Sequence, residues 1–116
     1  MLNIRDRSLV EQLATNCQRI DDHIGTFDGS LETLLANDLM RDALSMCVLQ
    51  ICELTTRFYK NFKRENYEIA WPKMKTLRDT ILYHYKNFNN ELLQNVLEND
   101  FPTIKRCCQR TLSETE

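Results

Sequence analysis

The sequence predicts an all-α protein, an antiparallel four-helix bundle with a short extra helix. Apolar residues recur at three- and four-residue intervals along most of the 116 positions, which is the repeat of one face of an α-helix. No segment alternates apolar and polar residues as a half-buried strand does. Only two glycines and two prolines interrupt the helical pattern. Because a chain of this length builds one hydrophobic core, we expect residues 1–116 to form a single helical domain.

The first helix is predicted between Leu9 and Ile24, where apolar residues lie four, four, three and four positions apart. Gly25 then occupies the position just past the helix, where glycine is favoured. Residues 28–30 indicate a turn, with Ser30 as the N-cap of the next helix. That helix is short, over residues 31–35, and we expect it to lid the bundle.

The longest helix is predicted to begin near Asn37 or Asp38 and to continue to Phe62. Its apolar stripe is widened by three residues, Val48, Cys52 and Thr55. Either part of this stripe meets a second subunit, or the helix is buried on all sides at the centre of the bundle. Its last turns carry basic residues that form a solvated face or guide RNA phosphates: Arg57, Lys60, Lys63 and Arg64.

The next helix is predicted to begin at Trp71-Pro72, because proline is tolerated in the first turn of a helix. Four of its residues are expected to face the core: Met74, Leu77, Ile81 and Leu82. The helix is expected to end between Tyr85 and Asn90, where asparagines favour caps and turns.

The last helix is predicted from Leu92 to Leu112, with Pro102 as a kink or a split. The tail, residues 113–116, is polar and expected to fray.

Composition excludes several classes of protein. A net charge of −2, from 15 basic and 17 acidic residues, argues against coating nucleic acid or membrane through bulk charge. The five cysteines lie in apolar periodic segments, as core residues of a reduced protein do. No Cys-x-x-Cys pair occurs and the two histidines are isolated, so neither a metal nor another cofactor is expected. The first thirty residues hold no signal core or membrane span, which favours the cytoplasm.

Within the stretch 75–85, the last eight residues gather a cation, an imidazole and two phenols: Arg78, His84, Tyr83 and Tyr85. On a regular helix Arg78 and Tyr85 are nearly eclipsed, and His84 lies about 100° from their line. A guanidinium grips phosphate oxygens, and an imidazole moves protons near neutral pH. Together they suit cleavage of a phosphodiester without metal. In the alternative interpretation, they only cap carbonyls and interact with the helix dipole.

Four pieces of the chain, in order, carry a resemblance that covers nearly the full length: Asp42-Ala43 through Ile51-Cys52-Glu53, Trp71-Pro72-Lys73, Arg78-Asp79 to Tyr85, and Asp100-Phe101-Pro102 with Ile104-Lys105. They resemble the HEPN superfamily, most closely its HepT-like branch, the toxin half of HEPN/MNT toxin–antitoxin pairs. The resemblance implies a four-helix-bundle ribonuclease whose motif is an arginine, four to six residues, a histidine and often a tyrosine. Two copies of the motif face each other across a homodimer.

For this chain the resemblance implies that Arg78 holds the scissile RNA phosphate and that His84 is the general acid or base. A ribose 2′-hydroxyl is then the nucleophile. Asp79 and Tyr83 are supporting residues, and Glu53 on the long helix orients the arginine. The implied partner is a nucleotidyltransferase (MNT) antitoxin that transfers AMP from ATP to Tyr85, or to Tyr83 as a substitute. The added charge and bulk then repel RNA.

The motif departs from the HepT-like pattern, which has four residues between arginine and histidine. Here that alignment puts Tyr83 in the histidine position and leaves His84 one residue later. Activity therefore requires a distortion of the helix near His84. Two alternatives stay open: a catalytically inactive module that docks the nucleotidyltransferase or presents its substrate, and a helical dimer with neither activity.

Overall fold

The computed structural model describes residues 2–114, which form seven α-helices and no β-strand. The helices are α1 (Ile4–Gly25), α2 (Leu31–Leu35), α3 (Asp38–Thr55), α4 (Lys60–Glu65), α5 (Trp71–Tyr83), α6 (Asn90–Asn95) and α7 (Phe101–Glu114). A 3₁₀ turn (Tyr85–Asn87) follows α5, and a π turn (Val96–Asp100) joins α6 to α7. Helix α3 packs against α1 and α5, α1 also packs against α7, and α2 lies against α3 and α6. The all-helical bundle is the predicted fold class.

Side-chain caps fix where four helices begin. The capping oxygens belong to Asn3, Ser30, Asn37 and Asn89, each accepting a hydrogen bond from a backbone N–H three residues later. Such a cap contributes about 1 kcal/mol. The Asn3 cap starts α1 at Ile4, before the predicted Leu9. Gly25 is the last helical residue and Thr26 the C-cap, so the expected position of Gly25 beyond the helix was wrong by one.

The long helix ends at Thr55, so its predicted continuation to Phe62 is wrong. The hydroxyls of Thr55 and Thr56 donate to the carbonyls of Cys52 and Glu53, both at 2.7 Å. These bonds occupy carbonyls of the last turn and favour its termination. The basic residues expected in that last turn lie instead in the following turn and in α4.

The interruption brings three aromatic rings together. Phe58 and Phe62 stack with their centroids 4.4 Å apart. Trp71, at the start of α5, meets them edge-on at 5.7 and 6.1 Å. Its indole N–H donates to the Asn66 carbonyl at 3.1 Å. This aromatic cluster (Phe58, Phe62 and Trp71) anchors the N-terminal end of α5 to the bundle.

The broad stripe of α3 is explained within the protomer, because Val48, Cys52 and Thr55 are all buried. Burial raises the pKa of Cys52 to about 12. On α5, the prediction that Leu82 faces the core is wrong, since it is 46% exposed. Ile81 takes the core position in the series with Met74 and Leu77, and Leu82 lies about 100° further around the helix.

The last predicted helix is interrupted by the π turn immediately before α7. Pro102 lies in the first turn of α7 and has no N–H to bond a carbonyl four residues back, which explains the local widening. Residues 113 and 114 are helical, so the expected fraying is wrong for them, and residues 115 and 116 lie outside the described chain.

All five cysteines are free and buried. Among residues 2–114, no three His, Cys, Asp or Glu side chains converge as a metal site would require. No helix in the same range has the length and apolar character needed to cross a membrane.

Candidate functional site

Helix α5 stops one residue before the motif histidine. His84 is the C-cap, with φ −141° and ψ 49°, far from helical values. Its N–H still bonds the Thr80 carbonyl at 2.9 Å, while its own carbonyl accepts from Asn87 at 2.8 Å in the 3₁₀ turn that follows. The helix was expected to end between Tyr85 and Asn90, so it ends earlier than predicted. The 100° displacement of His84 on a regular helix therefore does not describe this chain.

Arg78 is tied to two carboxylates. Its Nε and Nη2 donate to Oδ1 of Asp79 at 3.1 and 3.0 Å, and Nε lies 3.8 Å from Oε1 of Glu53 on α3. The hydrogen bonds with Asp79, supported by the charge of Glu53, raise the pKa of the Arg78 guanidinium above its ordinary value. The arginine side chain is 24% exposed. The guanidinium is thus a permanent positive charge that is held by two carboxylates and partly exposed.

Tyr85 is tied to the opposite end of α3. Its hydroxyl donates to Oδ1 of Asp42 at 2.6 Å and accepts from Nη1 of Arg41 at 2.8 Å. The Arg41 guanidinium also lies over the tyrosine ring, 5.1 Å from its centroid. The other ring neighbour is the buried Phe88, whose centroid is 6.5 Å away. We call the contacts of Arg41 and Asp42 with Tyr85 the clasp.

Arg41 extends the clasp into the chain beyond Tyr85. Its Nε donates to Oδ1 of Asn90 at 2.5 Å, and its Nη2 donates to the carbonyl of Phe88. Asn90 in turn donates to the Leu35 carbonyl at 3.1 Å. One guanidinium therefore connects α3 to the 3₁₀ turn and to the start of α6. It fixes the path of the chain immediately after His84.

The His84 side chain has no such tie. It is exposed and makes no hydrogen bond to the described part of the chain. Tyr83, 72% exposed, has no side-chain hydrogen bond within residues 2–114 either. The imidazole thus projects from a backbone held on both sides, by Arg78 before it and Tyr85 after it.

The two ties show how α3 and α5 run. Glu53, near the end of α3, meets Arg78, whereas Asp42, near its start, meets the residue just beyond α5, so the two helices are antiparallel. Met46 follows Asp42 by four residues and Leu82 follows Arg78 by four, which puts each on the tied face of its helix. They are 50% and 46% exposed. An apolar patch (Met46 and Leu82) consequently lies between the arginine and the tyrosine.

Sequence reasoning named Arg78, Asp79, Glu53, His84, Tyr83 and Tyr85, and missed Arg41. Asp42 entered only as part of a matching piece, with no role. Their separation from Tyr85, more than forty residues, carries no periodic signal, since the contact is made by tertiary packing of α3 on the turn after α5. The one available signal was that Asp42 belonged to a piece matching the same family as the Tyr85 motif.

A family model described as ribonuclease HepT-like matches residues 13–111. The matched range contains both ties and the whole interval from Arg78 to Tyr85. No curated protein and no solved structure matches the chain.

Proposed function

The chain belongs to the HepT-like ribonucleases, a family of the HEPN superfamily, and from this premise we propose that it is the toxin of a toxin–antitoxin pair that cleaves RNA. The observation that carries the proposal is the end of α5. An anchored arginine and an exposed histidine, six residues apart, flank the point where the helix gives way to a turn. The end of the helix supports a role for His84, because the imidazole is not held in the direction that a regular helix would give it.

The chemistry follows from the two side chains. Arg78 binds the non-bridging oxygens of the scissile phosphate and stabilises the charge of the pentacovalent transition state. The ribose 2′-oxygen attacks phosphorus and loses its proton, while the bond to the 5′-oxygen breaks and that oxygen gains a proton. The products are a 2′,3′-cyclic phosphate and a 5′-hydroxyl. His84 carries one of these two protons. No metal takes part in the proposed reaction.

A homodimer completes the proposed site. The exposed apolar patch of Met46 and Leu82 borders Arg78, and burying it against a second copy favours association. Two motifs facing across a twofold axis bring two arginines and two histidines into one cleft. One histidine then acts as base and the other as acid. The doubled positive charge also explains how a chain of net charge −2 binds RNA.

Tyr85 is the proposed acceptor of AMP from a nucleotidyltransferase antitoxin. Its oxygen attacks the α-phosphorus of ATP, the bond from that phosphorus to pyrophosphate breaks, and pyrophosphate leaves. The phenolic proton passes to a base. Asp42, which accepts the hydrogen bond from this hydroxyl at 2.6 Å, is the candidate base. Tyr83 remains the substitute acceptor.

The modification would act through the clasp as well as by repelling RNA. An adenylylated oxygen has no proton to donate to Asp42, and its phosphate charge repels that carboxylate. The same phosphate attracts Arg41 away from Phe88 and Asn90. The turn after His84 then loses its anchor, and the imidazole loses its position.

The first experiment is cleavage of a labelled single-stranded RNA in EDTA by protein shown by mass spectrometry to be unmodified at Tyr83 and Tyr85. His84→Ala should lower the rate by about 10² to 10⁴. His23→Ala, which removes the only other histidine, is the matched control and should cleave like the parent. A cyclic phosphate in the product supports the proposed reaction, and equal cleavage by parent and His84→Ala contradicts the role of His84.

The second candidate is a catalytically inactive module that docks the nucleotidyltransferase. It is favoured by the engagement of Arg78 with two carboxylates, which compete with a phosphate for the guanidinium. A folded, unmodified dimer that binds the nucleotidyltransferase and cleaves no RNA would select this candidate.

A further inference from the structure

Beside Arg78 lies an open groove of about 580 Å³, formed where α3 ends and α5 begins. Its walls are Thr55, Thr56, Lys63, Trp71, Lys75 and Arg78, together with Pro72. We call it the Trp71 groove. Its volume falls within the range of roughly 300–1,000 Å³ typical of ligand sites. Since Arg78 is one wall, the groove is continuous with the proposed cleavage site.

The groove is positively charged, and most of its charge is not neutralised by the protein. Three cations line it and no carboxylate does. Neither Lys63 nor Lys75 forms an ion pair with any residue in the range 2–114. By contrast, four other cations of the chain are paired with carboxylates at 3.1 Å or less: Arg7, Lys73, Lys105 and Arg110. Lys73, only two residues before Lys75, bonds Asp100 at 2.6 Å. Some cations elsewhere in residues 2–114, such as Arg19, also form no ion pair, but Lys63 and Lys75 line one groove that has no carboxylate in its walls, and this arrangement suits an anionic ligand.

An aromatic wall accompanies the charge. Trp71 is half-buried, held by the aromatic cluster and by its bond to Asn66, so its position is fixed. Lys63 Nζ lies 5.8 Å from the centroid of the Trp71 ring. Cations that track a phosphate backbone beside an aromatic surface for bases are the elements of a single-strand binding site. A free phosphate or an acidic peptide would use the lysines but not the indole.

We propose that the Trp71 groove binds the single-stranded RNA segment adjoining the scissile phosphate. Lys63 and Lys75 contact its phosphates, a base lies against Trp71, and Arg78 receives the next phosphate along the strand. This rests on the proposed ribonuclease function for the placement of the scissile bond, but binding itself does not require catalysis. The groove therefore supplies affinity for RNA longer than a dinucleotide.

The binding test uses a fluorescent 2′-O-methyl RNA, which lacks the nucleophile and stays intact. Lys63→Glu/Lys75→Glu should raise Kd at least about tenfold and reduce the slope of log K against log salt by about 1.4, for two phosphate contacts at about 0.7 each. The control matched to the single variant Lys75→Glu is Arg19→Glu, an equal charge change at an exposed cation of α1 outside the groove. Lys75→Glu alone, at an exposed side chain, covers the case in which the double variant misfolds. Equal losses in Arg19→Glu and the groove variants would overturn the proposal.

Trp71 provides a second readout, because it is the only tryptophan in the chain. RNA in the groove should quench its fluorescence in the parent, and the double variant should show no quenching at the same concentration. RNA binding that is detected by fluorescence polarisation but does not quench Trp71 would also overturn the proposal.

Cleavage assays separate this proposal from the ribonuclease proposal. In an active enzyme the groove variants should raise KM for a long RNA by a larger factor than KM for a dinucleotide, which is too short to fill the groove. If the parent binds RNA through Lys63, Lys75 and Trp71 but does not cleave it, the groove proposal is supported and the nuclease proposal fails. If the parent cleaves and the groove variants bind and cleave like Arg19→Glu, the groove proposal fails alone.

Discussion

The two ends of α5 are held in opposite ways. At its N-terminal end, Trp71 packs on Phe58 and Phe62 in an apolar cluster. At its C-terminal end the chain is held by polar side chains, with Tyr85 in the clasp of Arg41 and Asp42 and the helix stopped at Tyr83. Apolar packing fixes the helix in the bundle, whereas the polar contacts decide where the motif side chains point. Changes at the first end should therefore lower stability, and changes at the second should lower activity.

The largest expected effect is on stability, at the apolar end. Phe62→Ala removes a buried ring, 5% exposed, that stacks on Phe58 and meets Trp71. We expect a loss of about 3–5 kcal/mol in the free energy of unfolding. Denaturant titration measures it. Phe62→Leu, which keeps most of the volume, is the control and should lose less than about 1.5 kcal/mol. Losses below about 1.5 kcal/mol in both variants would mean that the aromatic cluster does not anchor α5.

At the polar end, Arg78→Ala should reduce the rate of RNA cleavage by about 10² to 10³ with little change in melting temperature. The guanidinium is partly exposed and contributes charge to the site more than packing to the core. Arg78→Lys keeps the charge but loses the planar fork, and should restore only part of the rate. A large drop in melting temperature for Arg78→Ala would mean that Arg78 also contributes to stability, and that the two ends of α5 do not differ in this respect.

The clasp should have a smaller effect. Tyr85→Phe keeps the ring and removes both hydrogen bonds of the hydroxyl, so the turn after His84 loses part of its anchor. We expect kcat to fall about tenfold with KM nearly unchanged, since a displaced catalytic group lowers the chemical step. Asp42→Asn should also lower kcat. The two effects should not add in the double variant, because both substitutions break the same contact.

Tyr67→Phe, at a tyrosine that is 83% exposed, is the control for loss of a phenolic hydroxyl and should leave kcat unchanged. If Tyr85→Phe also cleaves like the parent, the hydroxyl of Tyr85 has no positioning role.

The same contrast explains what the sequence could predict. The apolar end could be predicted from local signals: Trp71-Pro72 predicted the start of α5, and apolar spacing predicted its buried Met74, Leu77 and Ile81. The break after Thr55 was missed because the apolar repeat runs on through Phe58, in the turn, and Phe62, in α4, both of which are buried. Periodicity reports which residues are buried and is insensitive to a turn that keeps their spacing.

At the polar end, the residues of the site and its family resemblance could be predicted from the sequence, but the geometry of the site could not. Regular-helix geometry put His84 about 100° from the line of Arg78 and Tyr85, whereas the chain leaves the helix at that residue. The chain after that residue is held by tertiary contacts of Arg41 and Asp42, residues on another helix. Such contacts depend on how the helices pack, which no local pattern encodes.

The smallest expected effect is at Glu53, where the tie to Arg78 is long, 3.8 Å, and both side chains are partly exposed. Glu53→Gln keeps the shape and removes a carboxylate that competes with RNA phosphate. Because an exposed pair of this kind is weak, we expect kcat to fall and KM to fall, each by about two- to fivefold. Steady-state kinetics on one RNA measures both. The control, Glu11→Gln, neutralises a carboxylate paired with Arg7 on α1 and should change neither constant. A fall in kcat with a rise in KM would mean that Glu53 assists RNA binding. The contact between Glu53 and Arg78 would then position the site, as the clasp does, without competing with the RNA phosphate for the guanidinium.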